Sequence, residues 1–271
     1  MHISVKSLWH YQDNMITSTA NAQVKNLAQL IKKSKARTEQ GVYIVEGVKM
    51  FQEAPKDEIV KAYISEELYE KGTLKNSLDG ISYEVLKNEV FNHVADTKTP
   101  QGVLCILKQK KYTLDQLTKG ETPLLLVLEN LQDPGNLGTM MRTAEGAGVT
   151  GVLLSRGCVD IYNPKTIRST MGSIYRVPFL YTDDLLVDMD RLHEKGIVTY
   201  AAHLKGKGFY DEESYKGPTA FLIGNEGNGL TDELSEKAKQ YIKIPMEGQL
   251  ESLNAAVAAA ILMYEASRQR R

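Results

Sequence analysis

The sequence predicts an α/β protein of two domains, the larger of which is built on a mostly parallel β-sheet with helices on both faces. Short apolar segments alternate with helical segments along the 271 residues, as in chains that build parallel sheets. The segment PLLLVLEN at 123–130 is an almost continuous apolar run, which is typical of a strand buried on both faces. A polar segment at 111–122 separates two blocks that are each long enough to fold as a domain.

The first block, residues 21–110, has the pattern of a small α/β domain. Residues 21–37 place apolar side chains at helical spacing, which predicts one amphipathic helix. The other elements predicted here are strand 41–47, helix 48–54, strand 59–65, helix 66–71, strand 81–86, helix 87–94 and, within 99–109, a turn that leads into a strand. We assign residues 1–20 as an N-terminal extension, for which partial disorder is expected, and residues 111–122 as a linker.

The second block, residues 123–271, begins with the apolar strand 123–130. Its other predicted elements are helix 137–148, strand 151–155, helix 164–172, strand 177–180, helix 185–196, strands 197–203 and 219–224, helix 231–238, strand 241–245 and a terminal helix from residue 252. The regular alternation of strands with helices predicts a mostly parallel sheet.

Composition and charge exclude several classes of protein. The net charge of −1 gives no sign of a polyanion partner, so a nucleic-acid surface would have to be a local patch. Cys105 and Cys158 stand apart without a CxxC pair, which predicts two buried reduced thiols and excludes a cysteine zinc site. No metal-ligand cluster is recognisable. No apolar run approaches the roughly 18 residues of a membrane span, and no signal peptide is apparent, so we expect a cytoplasmic protein.

One local cationic patch lies on the first predicted helix. Its polar face carries only basic charges, contributed by Lys25, Lys32, Lys33, Lys35 and Arg37. Such a face fits contacts with RNA phosphates, and it fits an ordinary solvated helix surface equally well.

Three loops carry the residues that suit chemistry, and each follows a predicted strand, at the sheet edge where open α/β sheets bind ligands. In the first, Asp133, Pro134 and Gly135 form a turn, Asn136 is the expected N-cap of a helix, and Arg142 follows two turns later. On spacing alone, Asn136 fits a simple cap and Arg142 fits a surface cation.

The second loop, at 224–230, contains Gly224, Gly227 and Gly229, which allow another group to approach the backbone closely. The spacing differs from the G-x-G-x-x-G fingerprint, so a dinucleotide site is not supported. A flexible turn is the alternative.

The third loop ends in Glu251-Ser252-Leu253-Asn254 before a helix in which five of the first six residues are Ala. Ser252 is the expected N-cap, and Asn254 would lie in the first turn. A tightly packed terminal helix is the alternative to a binding site.

Together, the three loops resemble the motifs of the SpoU/TrmH family of RNA methyltransferases in the SPOUT class. The matching residues are Asn136-Leu137-Gly138 with Arg142-Thr143-Ala144, then Leu222-Ile223-Gly224-Asn225-Glu226-Gly227, then Ile244-Pro245-Met246 with Ser252-Leu253-Asn254. The first block more loosely resembles the substrate-binding domain that precedes some of these enzymes, which has a ribosomal-protein-like RNA-binding fold. The pieces that match are YIVEGVKMFQEA and DTKTPQGVLCIL.

The resemblance implies a homodimer whose C-terminal domain forms a trefoil knot and transfers methyl from S-adenosylmethionine to a ribose 2′-hydroxyl of RNA. It implies cofactor binding through the backbone of Gly224, Ile244 and Leu253, with Leu222 and Met246 as apolar walls. The polar catalytic positions of the family match Asn136, Arg142, Glu226, Ser252 and Asn254. It also places Arg168 and Ser169 near the pocket, where we expect RNA-phosphate contacts together with Lys32, Lys33, Lys35 and Arg37.

The chemistry implied by the resemblance assigns roles to these residues and leaves alternatives open. A guanidinium is not deprotonated in proteins, so we expect Arg142 to grip a phosphate next to the target hydroxyl. Family members commonly have Val-Ser after Ser-Leu-Asn, whereas this chain has Ala255-Ala256. We favour ribosomal RNA as the substrate because of the extra N-terminal domain. The alternatives are a transfer-RNA or base methyltransferase and a non-catalytic RNA-binding protein.

Overall fold

The computed structural model describes residues 15–203, 206 and 208–271, and these form two compact units. The first unit contains the described residues up to Lys110 together with Tyr162–Arg168. The second unit contains Lys111–Ile161 and Ser169–Arg271. No helix in these described residues is both long enough and apolar enough to span a bilayer.

In the first unit, short helices pack against a four-stranded sheet. The helices are α1 (Ala22–Lys32), α2 (Ser34–Gln40), α3 (Val48–Glu53), α4 (Glu66–Lys71) and α5 (Asn88–Val94), and the strands are β1 (Val42–Glu46), β2 (Ile59–Ser65), β3 (Tyr83–Leu86) and β4 (Val103–Lys108). A 3-10 turn at Lys56–Glu58 precedes β2. The strand order is β1-β4-β2-β3, with β4 antiparallel to both of its neighbours and β2 parallel to β3.

The single helix predicted for residues 21–37 is two helices, because the chain is extended at Lys33 (φ −122°, ψ 116°). After this break, the Arg37 guanidinium turns back and its Nη1 donates to the carbonyl oxygens of Leu30 (2.7 Å) and Ile31 (3.2 Å). The last carbonyls of a helix lack partners within the helix, so these bonds satisfy the end of α1. The predicted RNA contact at Arg37 is therefore wrong: its side chain is a buried cap that is only 3% exposed.

The core of the first unit forms where α1 and α5 cover one face of the sheet. The apolar stripe of α1 is buried against Phe91 of α5 and the strands. Ile16, within the predicted N-terminal extension, is also buried, and its backbone pairs with the residues flanking Leu86, Val85 and Lys87. Residues 1–14 of that extension lie outside the described residues.

The second unit is a three-layer α/β structure. Its helices are α6 (Leu114–Leu117), α7 (Pro134–Ala147), α8 (Pro164–Thr170, whose first residues group with the first unit), α9 (Leu185–Glu194), α10 (Asp232–Lys237) and α11 (Ala255–Gln269). Its strands are β5 (Leu124–Leu128), β6 (Gly151–Ser155), β7 (Phe179–Thr182), β8 (Val198–Ala202), β9 (Gly208–Phe209), β10 (Thr219–Ile223) and β11 (Gln240–Lys243). A 3-10 turn at Ser173–Tyr175 follows α8.

The second sheet has the order β7-β6-β5-β10-β8-β11-β9, and its described pairings are all parallel. This confirms the predicted mostly parallel α/β architecture. Strands β5 and β10 are buried along their full length at the centre of the sheet. The chain runs outward from β5 through β6 to β7 and later returns to insert β10 beside β5. Because Leu128 pairs with Ile223, the loops after these two strands begin side by side.

Two elements of the second unit were absent from the sequence prediction. The segment assigned as linker contains the short helix α6, which begins with a capping box between Thr113 and Gln116. The two-residue strand β9 lies at the sheet edge beside β11. Both are too short for hydrophobic periodicity to reveal them.

Candidate active site

The loop after β5 leads into α7 through a cap at Asp133. The Asp133 carboxylate oxygen Oδ1 accepts the backbone N–H of Asn136 at 2.7 Å, and Pro134 occupies the start of the helix, where its missing N–H costs nothing. The expectation that Asn136 is the N-cap is therefore wrong. Asn136 lies in the first turn of α7, and its side-chain amide is free to bond outside the helix.

The Glu226 carboxylate, on the loop after β10, accepts three hydrogen bonds from the loop after β5. Its Oε1 accepts the N–H of Asp133 (3.0 Å) and the Nδ2 of Asn136 (3.0 Å), and its Oε2 accepts the N–H of Gln132 (3.0 Å). Burial raises the pKa of Glu226, but these donors favour the charged form and hold that pKa below its usual value. Glu226 is thus an anion that fastens two loops together.

Asn254 adds the third loop to this arrangement. Its Oδ1 accepts the N–H groups of Ala256 (2.9 Å) and Val257 (3.3 Å), so Asn254 is the N-cap of α11, and the prediction that Ser252 caps this helix is wrong. Because capping uses the oxygen, the amide nitrogen faces away from the helix, and it donates to Oδ1 of Asn136 at 3.1 Å. We call Asn254, Asn136 and Glu226 the polar triad.

The orientation of the triad follows from its two ends. Capping fixes the amide of Asn254, which therefore presents a donor to Asn136. Asn136 then receives that donor on its oxygen and turns its own nitrogen to Glu226. Each amide has one arrangement that satisfies both neighbours, so the three loops are held in a single relative geometry.

The loop at 224–230 is closed by Asn225, a motif residue to which no role was assigned from the sequence. Its Oδ1 accepts the N–H groups of Gly227 (2.8 Å) and Asn228 (3.1 Å), and its Nδ2 donates to the Asn130 carbonyl at 2.8 Å. Its backbone also exchanges two 2.9 Å hydrogen bonds with Gly229. The signal available in the sequence was the Asn two residues before a Gly, the arrangement of an Asx turn.

Gly224 is required by this closed loop. A Cβ on Gly224 would lie 2.0 Å from the carbonyl carbon of Gly229 and 2.2 Å from the nitrogen of Leu230. The segment that approaches Gly224 closely is therefore the loop's own backbone.

Glu129 fixes the far end of the same loop and was also missed. Its buried carboxylate accepts both the N–H and the hydroxyl of Thr231, each at 2.8 Å, where α10 begins. An acidic residue directly after a buried strand was the signal in the sequence. With Asn225, this contact braces both sides of the Glu226 loop.

The third loop carries the backbone predicted to hold a cofactor. Ile244, Met246 and Leu253 are half-buried. In the described chain, residues 244–253 form no backbone hydrogen bond with another protein group, so their amides and carbonyls remain available to a ligand. Leu222, in contrast, is fully buried in the sheet core and presents no side-chain surface, which does not fit a pocket wall.

Arg142 and Ser252 lie outside the polar triad. Both are exposed, and within the described residues neither side chain has a hydrogen bond or ion pair. Arg142 projects from the middle of α7, which is itself held at its N-terminal end by the triad. The structure thus joins three of the five predicted catalytic residues by hydrogen bonds and leaves Arg142 and Ser252 outside this network.

The predicted RNA contacts have different environments. Lys32 and Lys33 are exposed at the end of α1, and Lys35 forms a loose, exposed ion pair with Glu39 (3.7 Å). Arg168 forms an ion pair with Asp96, so its charge is already compensated. Ser169 is half-buried at the end of α8.

Comparisons with known proteins identify the family to which the chain belongs. Residues 123–264 match the model of the SpoU rRNA Methylase family, and residues 21–105 match an MRM3-like substrate binding domain. The chain is 36% identical to the 23S rRNA (guanosine(2553)-2′-O)-methyltransferase RlmP of Bacillus subtilis, over 92% of this chain and 97% of the relative.

Solved structures of similar proteins include two with bound cofactor. An AdoMet-bound rRNA methyltransferase from Sinorhizobium meliloti has a TM-score of 0.82 at 30% identity, covering 94% of this chain and 97% of that one. The SpoU methyltransferase AviRb from Streptomyces viridochromogenes, in complex with AdoMet, has a TM-score of 0.84 at 25% identity, covering 92% of this chain and 98% of that one. The chain described here belongs to the SpoU rRNA methylase family.

Proposed function

We propose that this protein transfers the methyl group of S-adenosylmethionine to a ribose 2′-hydroxyl of ribosomal RNA. The observation that carries the proposal is the polar triad, because it joins all three family motifs in one hydrogen-bonded site at the carboxyl edge of the sheet. The relatives RlmP of Bacillus subtilis and RlmB of Vibrio parahaemolyticus are named as 23S rRNA methyltransferases, and this favours ribosomal over transfer RNA.

The residues of the third loop suit the cofactor. S-adenosylmethionine, when bound, supplies a methyl group that is already activated for transfer. Backbone groups of Ile244 and Leu253 are free to bond its polar parts, with Met246 beside them. Gly224 contributes by letting its loop close tightly, and Leu222 supports the site from within the core.

The protein's part in catalysis is then mainly alignment. The triad holds the third loop, which is expected to bind the cofactor, against α7, which carries Arg142. The distance between the bound cofactor and the Arg142 guanidinium would therefore be fixed before RNA binds. Arg142 binds the phosphate next to the target nucleotide and places the 2′-hydroxyl. The proton leaves to a phosphate oxygen or to water, since neither Arg142 nor the anionic Glu226 network is arranged as a free base. Ser252 is exposed two residues before Asn254, where its hydroxyl could contact RNA or cofactor.

Further RNA contacts come from Lys32, Lys33 and Lys35, which offer exposed charges on the first unit. Arg168 joins them only if a phosphate displaces Asp96, and Ser169 offers a hydroxyl one residue further on. Such contacts position RNA without reading its sequence.

The enzyme acts as a cytoplasmic homodimer with a knotted catalytic domain, as the family resemblance implies. Support for the dimer comes from α11, whose side chains Val257, Ile261 and Tyr264 form an apolar stripe at helical spacing. Val257 is 48% exposed and Tyr264 is 47% exposed. We expect Tyr264→Glu to convert a dimer into a monomer in sedimentation-equilibrium experiments.

The test is methyl transfer in vitro. Ribosomal RNA from cells lacking the gene is incubated with the protein and labelled S-adenosylmethionine, and 2′-O-methyls are mapped by their resistance to alkaline hydrolysis. We expect one protected nucleotide in ribosomal RNA and none in transfer RNA. Label that persists on a 2′-deoxy target would indicate base methylation, and the absence of calorimetric heat with S-adenosylmethionine would indicate a non-catalytic RNA-binding protein.

A further inference from the structure

The carboxylate of Glu145, one turn after Arg142 on α7, bonds to two residues that lie outside the three loop motifs, Ser173 and Arg176. Arg176 holds it with two guanidinium nitrogens: Nε contacts Oε1, and Nη2 donates to Oε2 at 3.1 Å. The buried hydroxyl of Ser173 donates to the same Oε2 at 2.5 Å. Both carboxylate oxygens therefore have strong donors, and these interactions, Arg176 foremost, lower the pKa of Glu145 despite partial burial.

Glu145 is also the natural helical partner of Arg142. Side chains three or four residues apart on a helix are neighbours, and an arginine with an acid at that spacing usually pairs with it. The other residues at these spacings from Arg142 are Gly138, Thr139 and Gly146, none of which carries a charge. Nonetheless Arg142 is exposed and has no ion pair within the described residues.

We propose that Arg176, with Ser173, is a positioning residue that holds Glu145 away from Arg142 and so keeps the Arg142 guanidinium available for an RNA phosphate. The inference rests on the proposed function of Arg142. Ser173 and Arg176, which follow α8, would act on the site only through Glu145.

The charges explain why this arrangement matters. The Glu145 side chain is 34% exposed, so if it were released it would remain at the surface beside Arg142. There it would compete with the phosphate for the guanidinium and would add a negative charge where RNA must approach. A bidentate arginine is suited to hold it, since its fork fixes both carboxylate oxygens at once.

The test is a set of variants measured for methyl transfer to ribosomal RNA: Arg176→Ala, Glu145→Gln, the double variant, and Arg142→Ala. We expect Arg176→Ala to raise KM for RNA by about fivefold, the upper range of an exposed ion pair, with KM for S-adenosylmethionine unchanged. Glu145→Gln should remain within about twofold of the wild type, because a neutral amide competes weakly for a guanidinium. In the double variant, KM for RNA should return to the value of Glu145→Gln, although Arg176 is missing there as well.

The rescue separates positioning from a structural role. If the double variant is as impaired as Arg176→Ala, or if Arg176→Ala keeps the wild-type KM for RNA, the inference is overturned. Thermal melting and S-adenosylmethionine calorimetry are measured for each variant. Arg176→Lys serves as a second probe, because it keeps the positive charge but cannot hold both carboxylate oxygens in the bidentate geometry of a guanidinium. A wild-type protein without methyl transfer, or a fully active Arg142→Ala, would instead overturn the proposed function.

Discussion

The two ends of helix α11 are held by different chemistry. At the N-terminal end, Asn254 caps the helix with its oxygen and reaches Asn136 with its nitrogen, and both side chains lie at the sheet edge with Glu226. At the C-terminal end, Gln269 and Arg270 bind main-chain groups of neighbouring segments that carry none of the family motifs. One end of the helix therefore belongs to the site, and the other belongs to the scaffold.

The C-terminal end is the more extensively bonded of the two. The Arg270 guanidinium donates to the carbonyls of Tyr215 (2.7 Å), Thr122 (2.8 Å) and Gly217 (2.6 Å). Gln269 accepts the N–H of Tyr215 at 2.8 Å and donates to the Glu213 carbonyl at 3.0 Å. Partial burial lowers the pKa of Arg270, because desolvation disfavours its charged form.

Between these ends, small side chains let α11 lie close to α7. Ala256, Ala259 and Ala266 are buried, together with Leu262 and Met263. The alanine run thus serves packing within the unit. The difference between the two ends predicts that N-terminal changes reduce activity, whereas C-terminal changes reduce stability.

The largest expected effect is that of Glu226→Ala. Removing the acceptor of three hydrogen bonds frees the loops to separate, and a misplacement near 1 Å costs roughly 100-fold in kcat/KM. Methyl-transfer kinetics check this against Asn228→Ala, an exposed side chain on the same loop, which should stay within about twofold. Equal losses in both variants would mean that the loop tolerates no change and that Glu226 has no special part.

At the other end, Arg270→Ala should lower the free energy of unfolding by about 2 kcal/mol, because three carbonyls lose a charged donor. Denaturant titration measures this, and the neighbouring, exposed Arg271→Ala removes the same charge as a control. Activity per folded molecule should change less than about twofold. If Arg270→Ala instead lost much of its kcat with unchanged stability, the two ends of α11 would not have separate roles in activity and stability.

Asn254→Asp separates the two tasks of the N-terminal cap. Aspartate caps helices as well as asparagine does, so the stability of α11 should be kept. It offers no donor to Asn136, however, so we expect roughly a tenfold loss of kcat/KM from the disturbed site. If Asn254→Asp retained full activity, the contact between the two amides would be dispensable.

The smallest effect concerns pH. The pKa of Glu226 is held below its ordinary value of 4.5, so the stability that its charge contributes is present above that pH and is lost as pH falls through the folded-state pKa. The difference in unfolding free energy between wild type and Glu226→Gln should therefore be constant from about pH 6 to 8 and shrink below about pH 4.5. A difference that changes near neutrality would place a different group at this site.

The sequence predicted most elements and the parallel sheet because strand burial and helical spacing are local patterns. The N-caps were predicted at Asn136 and Ser252, whereas the structure has them at Asp133 and Asn254. The residue types in each pair cap helices about equally well, so only tertiary contacts choose between them. Arg37 could not be distinguished from the lysines around it, because its burial depends on a break in the helix at Lys33. The order of hydrogen bonds in the triad depends on contacts 90 and 118 residues apart in sequence, which no periodicity records.

We expect Asn254, Asn136 and Glu226 to act as one unit in methyl transfer. A double-mutant cycle in kcat/KM, with Asn136→Ala, Asn254→Ala and the double variant on ribosomal RNA, measures the coupling between the two amides. If the triad acts as one unit, the double variant should be no more impaired than the worse single variant, since either change already breaks the chain to Glu226. If the losses multiply in the double variant, Asn136 and Asn254 act independently and the triad is not one unit.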